Sequence, residues 1–387
     1  MADVSTVEVL PREAPPGVVE DQAVEEERIY VASQWQLMWW RFRKHKLALV
    51  SGVAIILFYV IALFCEFLAP YEPHERDIKY VHAPPQRIHF IGDDGFHLRP
   101  FVYGLEGERD SETLRMVFEV DKTRRYPIHF LVRGDPYKLW GTFETDVHLF
   151  GLKDDEGALF LLGADRLGRD VLSRIFYGTR ISLSIGLVGV FLSFLLGILI
   201  GGFSGYMGGA VDIMVQRVIE FLQSIPSIPL WMALTAALPQ DWPPTKVYFA
   251  ITGILSFIGW TTLARVVRGK FISLREEDFV LAARLVGSSE LRIITRHLVP
   301  SFLSYLIARL TVSIPWMILG ETSLSFLGLG LRPPAISWGV LLQEAQNLRS
   351  VALAPWLLMP GAFVVVAVLS LNFLGDGLRD AADPYAR

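Results

Sequence analysis

The sequence predicts an all-α polytopic membrane protein with six transmembrane helices and a β-rich external insert between helices one and two. Three observations carry this. Of the 387 residues 52% are hydrophobic, and mean hydropathy is +0.39, against about 45–50% apolar residues in a soluble domain. The apolar residues gather in runs long enough to cross a hydrocarbon core of ~30 Å, which takes ~20 residues. Between the first two runs the pattern changes to short apolar segments separated by turn signals.

Hydropathy places the spans at Leu47–Ala69, Ile181–Phe203, Ile213–Leu238, Val247–Ala264, Phe302–Phe326 and Val351–Leu374. The third is the weakest, because Asp212, Gln216, Arg217, Glu220 and Gln223 lie in its first half. Arg41, Arg43, Lys44 and Lys46 precede the first span and place its start in the cytoplasm. Six crossings return the C-terminus to that side. They also put the loop carrying Lys270, Arg275, Arg284, Arg292 and Arg296 inside. Arg166, Arg169, Arg174 and Arg180 then fall outside, after a long segment that escapes the charge rule.

In that segment Arg87–Ile91 and Phe96–Leu98 flank the turn Gly92-Asp93-Asp94-Gly95. Leu114–Val120 and Tyr126–Val132 are further strand candidates. Val147–Leu152 and Ala158–Leu162 flank the turn Lys153–Gly157. The first 33 residues are acidic and lack the basic start and apolar core of a signal peptide, so they read as a disordered tail.

The cytoplasmic loop is the most informative stretch. Phe279, Ala282, Ala283 and Val286 make one apolar stripe at helical spacing. Gly287 ends that helix, Ser288 or Ser289 caps a second one carrying Glu290, and Pro300 marks the entry to the fifth span. On pattern alone the stripe suits either lipid headgroups or a protein partner.

Over Gly163–Gly178, Leu167, Val171, Leu172, Ile175 and Phe176 form one face of an expected amphipathic helix. The opposite face carries Arg166, Arg169, Asp170, Ser173 and Arg174, so the helix is expected to lie on the outer surface. Its named residues Asp165, Gly168, Arg169, Asp170 and Arg174 suit either a docking element or a simple anchor. Ser193, Gly197, Gly201, Gly205 and Gly209 recur every fourth residue and suit close helix packing. Arg309 and Glu321, inside the fifth span, are candidates for a translocation path or a partner interface, against a structural ion pair or an outer-edge position.

Other chemistry is excluded. The net charge of −4 gives no sign of nucleic-acid binding, and the single cysteine, Cys65, builds neither a disulfide framework nor a thiolate metal site. The external histidines have no zinc-ligand spacing. The sequence has no phosphate-binding G-x-x-x-x-G-K-[ST] loop and no H-E-x-x-H or G-x-S-x-G motif.

The run Ala282-Ala283-Arg284-Leu285-Val286-Gly287 with Pro300 resembles the EAA loop of ABC-importer permeases. Leu281 stands where that family usually has glutamate, and His297 where it usually has isoleucine. The resemblance extends to Trp39–Leu49, Leu68–Tyr71, Gly163–Arg174, Gly205–Gly209, Glu321–Gly330, Gly375–Asp380 and Asp383-Pro384. These are similar to the oligopeptide/dipeptide (OppC/DppC-like) branch, over 35–71 and 163–387 but not 72–160.

The resemblance implies a non-catalytic permease subunit of the bacterial inner membrane, with both termini cytoplasmic. It implies as partners a second homologous permease, two ATP-binding-cassette ATPases and a periplasmic solute-binding protein. ATP and Mg then belong to the ATPases, and this chain binds no cofactor. The loop around Phe279–Ser288 becomes the ATPase-docking helix. The cargo class is di- or oligopeptides, with oligosaccharides, opines or nickel as alternatives and a stand-alone secondary transporter as the distant one. The chain divides into a disordered cytoplasmic tail (1–34), an N-terminal segment with the first helix (35–71) and a periplasmic insert (72–162). The permease core follows (163–380, coupling loop 269–300), then a cytoplasmic C-terminal tail (381–387).

Overall fold

The computed structural model describes residues 34–93, 95–111, 116–153 and 157–382. Among these, five helices are long and apolar enough to cross a membrane, or up to six if one bent pair is a single span. The tails at 1–33 and 383–387, Asp94, Leu114 and the turn residues 154–156 lie outside the described residues.

Helix α1 (Gln34–Lys44) rests on the C-terminal helix, with Phe42, Ala48 and Ala381 buried together. At the break His45 Nδ1 accepts from the Ala48 amide at 3.1 Å and caps α2 (Lys46–Leu63). With 18 residues, α2 is about 27 Å long. The short α3 (Cys65–Leu68) follows.

Strands β1 (His89–Gly92), β2 (Gly95–Arg109) and β3 (Met116–Pro127) form one antiparallel sheet, and β4 (His129–Leu139) and β5 (Phe143–Gly151) another. The expected boundaries move. Phe96–Leu98 is only the start of β2. Tyr126–Val132 straddles the end of β3 at Pro127, which has no amide proton to extend a ladder. Ala158–Leu162 is not a strand: its amides go to side chains, Phe160 N to Gln86 Oε1 at 2.6 Å and Leu159 N to Tyr71 Oη at 2.8 Å.

Helix α4 (Val171–Met207) has 37 residues, about 55 Å. It replaces the expected surface helix over Gly163–Gly178 and the separate span Ile181–Phe203. Gly163 and Gly168 take φ of +77° and +74°, so Gly163–Asp170 is a looped segment and the helix starts only after Asp170. The expected third span is two helices, α5 (Gly209–Ser224) and α6 (Ser227–Ala236), bent by 83°. Pro226 forces Ile225 into an extended conformation and breaks the run.

Helix α7 (Pro244–Leu274) has proline in its first turn and leads into α8 (Asp278–Leu285). The second loop helix is only α9 (Glu290–Ile293), followed by a π-turn (Ile294–Leu298) and α10 (Val299–Ser301). Then come α11 (Leu303–Phe326), α12 (Trp338–Gln343), α13 (Leu348–Leu353) and α14 (Met359–Ala382). The expected last span, Val351–Leu374, is therefore shifted: Val351 belongs to α13.

Helix α4 sits at the centre, against α7, α11 and α2, and α14 packs on α11 and α2. Leu183, Ile185, Leu255, Ile318 and Trp338 are fully buried between them. Small residues set the α4–α7 approach. A Cβ on Gly201 would stand 2.3 Å from the Ala264 carbonyl oxygen, and one on Gly205 2.7 Å from that of Arg268. Gly209 is not on this face; at φ +56° it starts α5.

Candidate functional site

The loop between α7 and α11 holds the first group of candidate residues. Helix α8 turns Val280 inward, fully buried, and leaves Ala283 half-buried against the core. Phe279, Ala282 and Val286 face out, joined by Leu285; Leu285 and Val286 are 88% and 85% exposed. The expected stripe is thus split, with Ala283 on the inner side.

The end of α8 is a Schellman stop. Gly287, at φ +80°, donates its amide to the Arg284 carbonyl at 2.9 Å, and Ser288 donates to Ala283 at 3.0 Å. Ser289 occupies the cap position of α9, but its side chain makes no capping bond. Pro300 opens α10 after the π-turn, where a tight α-turn would drive its ring into the Arg296 carbonyl.

Helix α8 is tied to the end of α4 by a contact the sequence reading missed. Arg284 Nε donates to Tyr206 Oη at 3.2 Å, and its guanidinium lies 5.0 Å from the Tyr206 ring centre. Tyr206 stands in the Gly205–Gly209 motif, so a signal was present without its role. A cavity of about 390 Å³ is lined by Tyr206, Arg275, Glu276, Leu281 and Arg284. Leu281, at the position that departs from the resembled loop, shares this wall with Glu276. Nearby, Asp212 accepts from Arg268 Nε and Nη2 at 2.5 Å each, and from Ser204 Oγ at 2.6 Å. That pairing accounts for Asp212 in the weak third span, while Glu220 pairs with Arg217 at the surface.

Arg309 and Glu321 do not come together. Arg309 is half-buried on α11, and no ion pair joins it to Glu321 among the described residues. Glu321 is fully buried inside this chain. Its carboxylate accepts from Ser325 Oγ at 2.8 Å, Ser337 Oγ at 2.7 Å and Ser182 Oγ at 3.3 Å. Those hydroxyls satisfy the carboxylate internally and join α4, α11 and the start of α12. Glu321 is thus enclosed within this chain, while Arg309 is partly exposed.

The segment Asp165–Arg174 is also corrected. Four of its charged residues face inward, Asp165 at 2%, Arg169 at 7%, Asp170 at 4% and Arg174 at 2% exposed, while Arg166 stays at the surface. Arg169 Nε donates to Asp165 Oδ2 at 2.7 Å and its Nη2 to Glu344 at 2.9 Å. Arg174 bonds both of the same carboxylates. The network ties the loop to α4 and to the segment after α12, because buried charges persist only when paired. A Cβ on Gly168 would stand 1.8 Å from the Asp77 carbonyl oxygen, so glycine is required there. Asp170 caps α4 by accepting from Ser173 N and Oγ, each at 2.7 Å. Its Oδ1 has no hydrogen-bond partner among the described residues. Burial pushes its carboxyl above the usual range, to about 6.

Comparison with known proteins matches this architecture. Residues 197–387 match the family model "Binding-protein-dependent transport system inner membrane component". Residues 33–85 match "N-terminal TM domain of oligopeptide transport permease C". The Dipeptide transport system permease protein DppC of Lactococcus lactis subsp. cremoris is 33% identical over 92% of this chain and 91% of its own length. The Oligopeptide transport system permease protein OppC of Haemophilus influenzae is 37% identical over 63% and 76%. DppC of Bacillus subtilis is 36% identical over 58% and 68%. Among solved structures, a chain of the inward-facing MetNI methionine ABC transporter aligns with a TM-score of 0.41 and 19% identity, over 54% of this chain and 96% of its own. With a relative 33% identical and covered over 91% of its length, and with residues 33–85 and 197–387 matching the two family models, the chain belongs to the binding-protein-dependent transport inner-membrane components, in their OppC/DppC-like branch.

Proposed function

We propose that this chain forms half of the pathway of an ATP-driven importer for di- or oligopeptides, and that α8 is where it is gripped by an ATPase subunit. One observation carries the docking assignment: Leu285 and Val286 lie almost fully exposed beside a helix stop, on a helix whose other face is buried at Val280. An exposed apolar ridge on a short, well-anchored helix fits a protein cleft. Ala282 keeps the ridge low enough for close approach, and Arg284 links it to α4 through Tyr206.

A second, related permease completes the pathway, and two ATPases hold ATP and Mg on the side of α8. ATP-driven closure of the ATPases displaces α8, the Arg284–Tyr206 contact carries the displacement to α4, and the bundle shifts between two packings. The chain contributes no covalent chemistry. The β-rich segment at 72–162 lies on the opposite side, where a solute-binding protein delivers cargo. Support comes from the β1–β2 hairpin, which exposes Ile91, Phe96 and Leu98 at its turn. Peptide cargo is carried over from the names of the relatives, dipeptide and oligopeptide transport permeases.

The test is disulfide or thiol cross-linking from Val286→Cys in the assembled transporter, read alongside uptake in proteoliposomes. A cross-link to the ATPase, with uptake that requires ATP and the binding protein, is the expected result. Uptake by this chain alone would sink the importer reading. Uptake that is ATP-dependent but leaves Val286→Cys unlinked to the ATPase would move the docking site elsewhere.

A further inference from the structure

The β4–β5 hairpin carries an exposed aromatic surface. Its tip runs Leu139-Trp140-Gly141-Thr142-Phe143. Trp140 has φ +53°, in the left-handed region that bulky side chains rarely adopt. It is held there from outside the hairpin: the indole Nε1 donates to the Leu63 carbonyl at 2.8 Å, and the ring lies 5.7 Å from that of Phe64. Even so, Trp140 stays 48% and Phe143 63% exposed.

Leu63 fixes the depth of this tip. It is the last residue of α2, whose first turn follows Lys44 and begins at Lys46. The helix rises about 27 Å, close to the ~30 Å of a hydrocarbon core. The tip therefore stands at the hydrocarbon boundary opposite the basic end of α2.

An apolar cavity of about 490 Å³ lies under the hairpin, between Val60, Phe64 and Leu68 on the helical side and Tyr137, Leu139 and Val147 on the other. Among the described residues no charged side chain lines it. Val60 also ends a stripe on α2, with Val53, Ile56 and Leu57, each between 43% and 64% exposed. Positions spaced by three and four residues share one helix face. The exposed apolar flank of the span thus runs without interruption into the cavity.

We propose that this cavity holds the glycerol-proximal part of a phospholipid acyl chain, with Trp140 and Phe143 at headgroup level, so that the hairpin anchors the sheets to the membrane surface. Aromatic rings with a polar edge favour that depth. The inference needs only that α2 spans the bilayer, so it holds whatever solute is carried.

The experiment uses the full chain, assembled with its partner subunits, in phosphatidylcholine nanodiscs. The lipid carries bromine either beside the glycerol or at the chain end. The Trp140 signal is the fluorescence difference between wild type and Trp140→Phe. Loss of that signal with glycerol-side bromine, and a smaller loss with chain-end bromine, is expected. Phe143→Trp in the Trp140→Phe background should gain a signal quenched in the same order, which keeps the test open if one variant folds poorly. A signal quenched by neither lipid, or more strongly by chain-end bromine, overturns the proposal. So does quenching that is seen with the lone chain and abolished in the assembled transporter, which would give the surface to a protein partner.

Discussion

Gly287 closes α8 with backbone bonds alone, and a Cβ placed on it meets nothing within 4 Å. The demand is on conformation, not space. Gly287→Val should cost about 1–2 kcal/mol of left-handed strain, unwind the stop and leave ATP hydrolysis running without matching uptake. Gly287→Asn should keep most of the coupling, because asparagine tolerates this geometry. The ratio of ATP hydrolysed to solute imported measures both, and equal ratios for wild type and Gly287→Val would count against the assignment. Asp170 gives a pH signature. Its folded carboxyl titrates near 6, above an ordinary unfolded carboxyl, because burial disfavours the charge. The folded state then holds more protons between about pH 4 and 6, so this contribution to stability falls as pH rises through that window. Asp170→Asn should flatten that part of the profile; melting temperatures of both proteins across the window provide the measurement. Gly287 was legible in the sequence because its stop depends on neighbours in the chain. Glu321 was not: its partners Ser182 and Ser337 come from other elements, and a buried carboxylate looks alike in sequence whether it faces a pore or a cluster of hydroxyls.

At the scale of elements, the tie between α8 and α4 is a pair of side chains. Tyr206→Ala removes both the 3.2 Å hydrogen bond and the ring under Arg284. A partly exposed cation–π contact is worth about 0.5–2 kcal/mol, so uptake per ATP should drop several-fold while the ATPase still binds. Tyr206→Phe, which keeps the ring, should fall between. Pull-down of the ATPase and coupled uptake separate these effects; lost assembly in Tyr206→Ala would mean that the tyrosine holds the helix in shape. Hydropathy found α4, α7 and α11 because long apolar runs need no partner to be recognised. It ran the third span through Ile225–Leu238, where the hydropathy is high but the prolines forbid a straight helix. The amphipathic pattern over Gly163–Gly178 misled for a related reason. Arginine and aspartate at helical spacing read as a solvated face, while here they are buried against each other and against Glu344, which is remote in sequence.

For the molecule as a whole, the sheets hang from two strands of chain that meet. Gln86 N donates to Phe160 O at 2.8 Å, and Phe160 N returns a bond to the Gln86 side chain at 2.6 Å. Ala164 N donates to Ala83 O at 2.9 Å beside them. Excising residues 87–159 and joining Gln86 to Phe160 should leave the bundle and its assembly with the ATPases intact and reduce delivery from the binding protein. Size-exclusion profiles and uptake at limiting binding protein test both halves; unchanged uptake would refute the delivery role. The presence of strands here was legible from turn residues and alternation, but not where the segment attaches, since that rests on bonds between chain positions far apart. This closure also bears on how the chain can vary over time. A loop whose ends already touch costs only about 0.6 kcal/mol more for each doubling of its length. Added or lost length between α2 and α4 therefore costs the helices little stability, so a change in the size of this segment registers in delivery of cargo before it registers in the packing of the bundle.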